Sequence, residues 1–196
     1  NFIPVDGVLF DLGLSYQQIK TSGRGFSYYN DQENLDMRIG GKGEKTAADF
    51  LNLSSRADLY RIFAGYSEEI KSAAIANSII KMRQNQPINQ VGQLKRAIDQ
   101  VIGRQDLRVY ARIFQALRIA VNQELENLQL GLQGATALIK SGGRIVVITF
   151  HSLEDRLVKK FALANQFNLI KPKKIASWPI ARFERSAKLR ILIKKD

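Results

Sequence analysis

The hydrophobic and polar positions fall into blocks whose period changes along the chain. Residues 5–12 (VDGVLFDL) form an apolar run ending in a Gly- and Ser-bearing turn, which predicts a buried parallel strand. Over residues 13–45 the periodicity disappears, and the segment is rich in Gly, Ser, Asn and Tyr, with GRGFSYYN (23–30) at its centre. A loop of that length in a compact domain is usually a lid or a binding loop. From 46 to 103 the pattern turns helical. Thr46 followed by Asp49 is a variant of the capping box, and Ser67 with Glu68 and Glu69 behind it predicts a second helix start. After Pro87, Val91, Leu94, Ile98 and Val101 recur at spacings of three and four, and Gly103 supplies the stop.

Residues 107–140 read as one longer helix, its apolar stripe formed by Ile113, Leu117, Val121, Leu125, Leu128 and Leu132, with Gly131 and Gly134 as places for a kink. Ser141, Gly142 and Gly143 then turn the chain into residues 144–150, whose IVVITF core predicts a second buried strand. Ser152 caps a further helix to about residue 164, and residues 168–175 and 189–193 are short strands. Helix and strand alternate as in an α/β fold. The expected division is a core segment over 1–45, a compact helical insert over 46–106 and the rest of the core over 107–196.

Composition narrows the partners. Lys and Arg number 30 against 18 acidic residues, and the net charge of +12 favours a polyanion, because each phosphate contact releases counterions. The basic residues are spread along the chain and not gathered on one amphipathic helix, which points to nucleic acid before a membrane surface. The absence of cysteine excludes disulfides and thiolate chemistry. With His151 as the single histidine, a zinc site would rest on carboxylates, which structural zinc rarely uses, so no metal is expected. Apolar runs such as residues 145–150 are too short to span a bilayer, and a cytoplasmic protein is expected.

Ligands of open α/β sheets bind beyond the carboxyl ends of the strands. Two polar clusters sit there: Asp11, Gly13, Ser15 and Gln18 after the first strand, and His151, Ser152, Glu154, Asp155 and Arg156 after the second. Asp11 either caps the amides of the turn at residues 13–15 or serves as an acceptor in a site. His151 is either a hydrogen-bonded packing residue or faces the same crevice. Glu154 and Asp155 suit the first turn of a helix, where Asp155 would complete a capping box with Ser152. GRGF (23–26) and GGKG (40–43) follow no strand, and neither is a nucleotide-binding motif. Phe26, Tyr28 and Tyr29 beside Arg24 either stack on an extruded base or pack the loop onto the core.

Six segments in order, DGVLFDLGLS (6–15), RGFSYYND (24–31), LDMRI (35–39), RIFQALRIAVNQEL (112–125), TFHSLEDRLVKKF (149–161) and RSAKLRI (185–191), resemble the bacterial 16S rRNA cytosine-N4 methyltransferases, the RsmH or MraW family. The resemblance covers nearly the whole chain. It implies an α/β fold: a partial class I (Rossmann-like), S-adenosylmethionine-dependent methyltransferase core with an inserted helical domain that binds substrate. The implied target is the exocyclic N4 amine of a cytidine in 16S rRNA, at the decoding centre of the small ribosomal subunit. In the family, the Asp of the DLG motif and the Gln seven residues later contact the cofactor, and they match Asp11 and Gln18.

The chain departs from the family where Tyr16 and Gln17 stand in a Ser-Ser-Pro-Gln run, where Glu33 and Asn34 replace a Gly-Pro, and where IARFE (180–184) replaces a basic stretch. The family's glycine-rich first motif, acidic ribose-binding residue and first strands are expected before Asn1. The chain therefore reads as a fragment, inactive by itself. Within the complete protein, Asp11 is expected to orient cofactor or amine and His151 to act near the base as acceptor or proton relay. Arg24, Phe26 and Tyr28 would hold the extruded nucleotide, with Arg118 and Arg156 as further RNA contacts. Two alternatives stay open: a non-catalytic basic RNA-binding domain derived from a methyltransferase, and an amine methyltransferase acting on another nucleic acid. A homodimer is compatible with the sequence.

Overall fold

The computed structural model describes residues 3–40, 45–170 and 187–195. The basic cluster Lys171, Lys173 and Lys174, the IARFE segment, most of GGKG, Arg185 of RSAKLRI and the end of the strand expected over 168–175 lie outside the described residues. The chain forms two compact units, Asn1–Gly13 with Leu125–Asp196, and Leu14–Glu124. No helix among the described residues is long and apolar enough to cross a membrane.

The first unit is a mixed sheet with helices. Its strands are β1 (Val5–Asp11), β2 (Ile139–Thr149), β3 (Phe167–Ile170) and β4 (Lys188–Lys194), in the order β1-β2-β4-β3. β1 runs parallel to β2, while β4 is antiparallel to both its neighbours. The alternation in IVVIT buries Ile145, Val147 and Thr149 on one face of β2. Leu128, Leu132 and Ala135 of α7 (Glu124–Leu138) share that core with Val158, Phe161 and Ala162 of α8 (Ser152–Ala164). At Gly131 a side chain would meet the Phe10 ring at 3.0 Å, so glycine lets α7 lie close on β1. β1 itself is less buried than its apolar sequence predicts: Leu9 is 65% exposed.

The second unit is helical: α1 (Tyr16–Thr21), α2 (Ala47–Leu53), α3 (Arg56–Ser67), α4 (Ser72–Asn85), α5 (Val91–Ile102) and α6 (Leu107–Asn122). It reaches beyond the 46–106 expected for an insert at both ends. Leu35 and Met37 from the long loop are fully buried with α2–α5, and Tyr110, Ile113 and Leu117 of α6 complete the same core. The loop is stitched in through its backbone, with Leu35 N–H donating to Asn89 at 2.8 Å and Val91 N–H to Glu33 at 3.0 Å. Hydrophobic periodicity cannot register such pairing.

Several local expectations are corrected. Thr46 and Asp49 form the capping box, but the helix stops at Leu53, and Ser55 caps α3 through the Asp58 N–H. Ser67 ends α3; its hydroxyl donates to Phe63, and Glu68 turns left-handed (φ 53), so α4 starts at Ser72. The single helix over 107–140 breaks at Gln123 (φ 49), not at Gly131 or Gly134. Its stripe accordingly serves two cores, Ile113 and Leu117 in the helical unit and Leu128 and Leu132 in the sheet unit.

Gly25 of the GRGF turn is buried with φ +72, and a Cβ there would lie 2.6 Å from the Asn34 carbonyl oxygen. Its N–H donates to Glu33 at 3.0 Å. Gly25→Ala combines left-handed strain with a backbone clash, and a loss of about 1–3 kcal/mol is expected. A thermal unfolding midpoint equal to the parent's would show that the loop yields freely.

Candidate functional site

β1 and β2 bring Asp11 and the start of the second polar cluster to the same end of their sheet. Asp11 sits opposite Ile148, and the Leu12 N–H donates to the Ile148 carbonyl at 3.3 Å, so the chain leaves both parallel strands at the same carboxyl end. Asp11 is exposed, and its carboxylate has no hydrogen-bond or ion-pair partner among the described residues. It does not cap the following turn. A carboxylate fixed on a strand end and open to solvent is an acceptor free for a ligand.

His151 occupies the N-cap of α8, the position expected for Ser152. Its Nδ1 accepts from the Glu154 N–H at 3.4 Å, and Glu154 Oε2 accepts from the N–H groups of Phe150 (2.8 Å) and His151 (3.2 Å). Nε2 lies 3.1 Å from Glu154 Oε1, close enough for attraction but outside hydrogen-bond alignment. The ring is therefore a buried cap whose accepting nitrogen is already engaged. Burial pushes the Glu154 carboxyl up, but His151 and the two backbone N–H groups outweigh it and hold the group below its ordinary value.

Asp155, expected as a capping partner of Ser152, is instead buried. Its Oδ1 accepts from Arg190 Nε of β4 at 2.6 Å, while Lys159 (3.3 Å) and Lys188 (3.6 Å) approach Oδ2. Burial raises this carboxyl, and the three cations overcome that and hold it below the usual aspartate value. Reading strand ends does not find Arg190. Its signal in the sequence is one arginine within the apolar LRILI run of a strand.

The RNA-contact candidates divide by their partners. Arg24 donates to the carbonyl of Arg38 at 2.9 Å, tying the long loop together. Phe26 and Tyr28 pack against the helical core, with Tyr28 6.0 Å from Tyr110 and 5.9 Å from Phe114 between ring centroids. Tyr29, stacked 4.6 Å from Tyr28 and 76% exposed, is the ring of this group that is open to a ligand. Arg118 donates to both oxygens of Glu124 at 2.8 and 3.1 Å. Arg156 is exposed and lines, with Lys160, Leu157 and Leu125, a groove of about 410 Å³ between α7 and α8. Gln18 lies on α1, and its side chain is outside the described residues.

His151→Ala removes the cap and is expected to cost about 1 kcal/mol in denaturant unfolding. In methyl-transfer assays a loss below about tenfold is expected, as for a group that positions α8. A larger loss with α8 intact would place the ring at the reacting atoms.

The sequence matches the model of the MraW methylase family over residues 1–196. A ribosomal RNA small subunit methyltransferase H from Thermomicrobium roseum is 49% identical over 162 residues, covering 82% of this chain and 49% of its own length. The protein of the same name from Dictyoglomus thermophilum is 43% identical, with 95% of this chain and 65% of its own covered. The one from Carboxydothermus hydrogenoformans is 42% identical, with 97% and 61% covered. The chain thus spans about half to two-thirds of the length of these curated relatives. The match over residues 1–196, with relatives 42–49% identical, shows that this chain belongs to the MraW methylase family.

Proposed function

We propose that the protein carrying this chain is an S-adenosylmethionine-dependent methyltransferase acting on the N4 amine of a cytidine in 16S rRNA, at the decoding centre of the small subunit. The relatives' names supply the substrate class. The observation that carries the catalytic reading is the Asp11 carboxylate, exposed and without a partner among the described residues, at the shared carboxyl end of β1 and β2. A carboxylate there repels phosphate, so the point suits a hydrogen-bond donor of a cofactor or amine better than a phosphate contact.

The free acceptor at Asp11 fits a ligand rich in hydroxyl and ammonium donors, as the cofactor is. Asp11, with Gln18 from the family match, would hold S-adenosylmethionine, which when bound supplies a methyl group made electrophilic by its sulfonium charge. The remaining work falls to positioning. The lone pair of a cytosine amine is delocalised into the ring, so holding it in line contributes much of the rate. Asp11 accepts a hydrogen bond and fixes its donor at the strand end. His151 and Glu154 hold the start of α8, and with it the loop that follows β2. Tyr29 offers an exposed face for an extruded base, backed by Tyr28.

The test uses a protein of the relatives' full length that contains this chain, incubated with small ribosomal subunits and cofactor labelled on its methyl group. Labelled N4-methylcytidine in the nucleoside digest of 16S rRNA is the expected product. Label on another nucleoside, or none, rejects the reading.

A further inference from the structure

We propose that the groove between α4 and α5 is a second RNA contact, which binds the phosphodiester backbone of the substrate through a surface of hydrogen-bond donors. The groove has a volume of about 330 Å³ and, apart from Met82, is lined by polar residues, Lys81, Asn85, Gln86, Gln93, Arg96 and Gln100. No carboxylate lines it. Other cations of this unit stand beside carboxylates: Arg61 pairs with Asp58, Lys95 with Asp31, Arg104 with Asp106, Arg112 with Glu69 and Arg118 with Glu124. Arg83 is bound to the carbonyls of Leu51 and Ser54. Lys81 and Arg96 are exposed and have no such partner among the described residues.

Gln93 gives the groove a fixed donor. It is only 8% exposed, and its Oε1 accepts from the N–H groups of Asn89 (2.7 Å) and Gln90 (2.8 Å). Those two donors settle which end of the amide is oxygen. The NH₂ end has no partner among the described residues and is held at the groove by a side chain that cannot turn without unbinding two backbone groups. Gln93, Arg96 and Gln100 lie at i, i+3 and i+7 on α5, and Lys81 and Asn85 at i and i+4 on α4, so each set shares one helix face. Two free cations and a fixed neutral donor without a neighbouring anion suit a ligand that is anionic and only accepts hydrogen bonds. A phosphodiester is such a ligand, and phosphate contacts position a nucleic acid without reading its sequence.

The inference rests on RNA being the substrate, and its test separates the two claims. Binding of a fluorescent 16S rRNA segment is measured on the full-length protein that contains this chain, across about 50 to 200 mM salt, for the parent, for K81A/R96A, and for R61A/R104A, which removes the same charge elsewhere. Each lost phosphate contact is expected to lower the slope of log K against log salt by about 0.7–0.9. K81A/R96A should weaken binding about tenfold or more at the low-salt end and reduce the slope by about 1.5, with R61A/R104A close to the parent. Equal slopes for parent and K81A/R96A, equal losses in both double variants, or a parent that does not bind all overturn the groove. The methylation assay is run in parallel on the full-length protein. Methyl transfer to 16S rRNA that the groove variants leave at parental KM sinks the groove alone, whereas groove-dependent binding without methyl transfer sinks the catalytic reading alone.

Discussion

Asp11→Ala is expected to lower methyl transfer by about a hundredfold or more in the full-length protein, with the thermal unfolding midpoint unchanged. The two halves of that result have separate causes. The carboxylate is exposed and makes no hydrogen bond or ion pair among the described residues, so nothing in the fold depends on it. What it contributes is a charged acceptor at a fixed point on a strand end, and a lost charge-assisted hydrogen bond of about 1.5–3 kcal/mol corresponds to a ten- to hundredfold effect. Misplacement of the reacting groups adds to it. Asp11→Asn, which keeps the size and one acceptor oxygen, should recover part of the activity. Turnover of Asp11→Ala within about threefold of the parent would remove the residue from the site.

Asp155→Ala is expected to destabilise the sheet unit by about 3 kcal/mol or more in denaturant unfolding. The side chains of Asp155 and Arg190 are 6% and 9% exposed, so removing the carboxylate leaves a buried guanidinium without its counter-charge, with Lys159 and Lys188 beside it. Asp155 also joins the first turn of α8 to β4, which pairs with both β2 and β3. The effect carries a pH signature. Because the folded carboxyl titrates below its ordinary value, its stabilisation is complete above roughly pH 4, where the unfolded chain titrates, and is lost as the pH falls through the folded value. The gap between parent and Asp155→Ala should therefore be constant near neutrality and close in acid. A gap that does not narrow at all as the solution is acidified would assign the loss to packing instead of charge.

Part of the site is legible in the sequence because strand ends are legible. VDGVLFD and IVVIT announce themselves by composition, and the polar residues that follow must sit at a sheet edge, so Asp11 and His151 stand out by position alone. What His151 does there is not legible. Its choice between cap and acceptor depends on where the Glu154 N–H and carboxylate lie, and in sequence Ser152 is the better capping residue. Arg24, Phe26 and Tyr28 illustrate the same limit. They are residue types that bind nucleotides, yet one ties two loop segments together and two fill the helical core, leaving Tyr29 exposed.

The sequence by itself determined the α/β alternation, the strand that carries Asp11, the amphipathic faces of α5 and α6 and the positive charge, since these follow from local composition and periodicity, while the family resemblance came from six ordered motifs. Tertiary structure decided the break at Gln123, the burial of Leu35 and Met37 among helices far along the chain, and the ion pair of Asp155 with Arg190, 35 residues away. It also decided which cations stay unpaired between α4 and α5. Each of these depends on long-range burial and pairing, where desolvation and a distant partner outweigh local propensity.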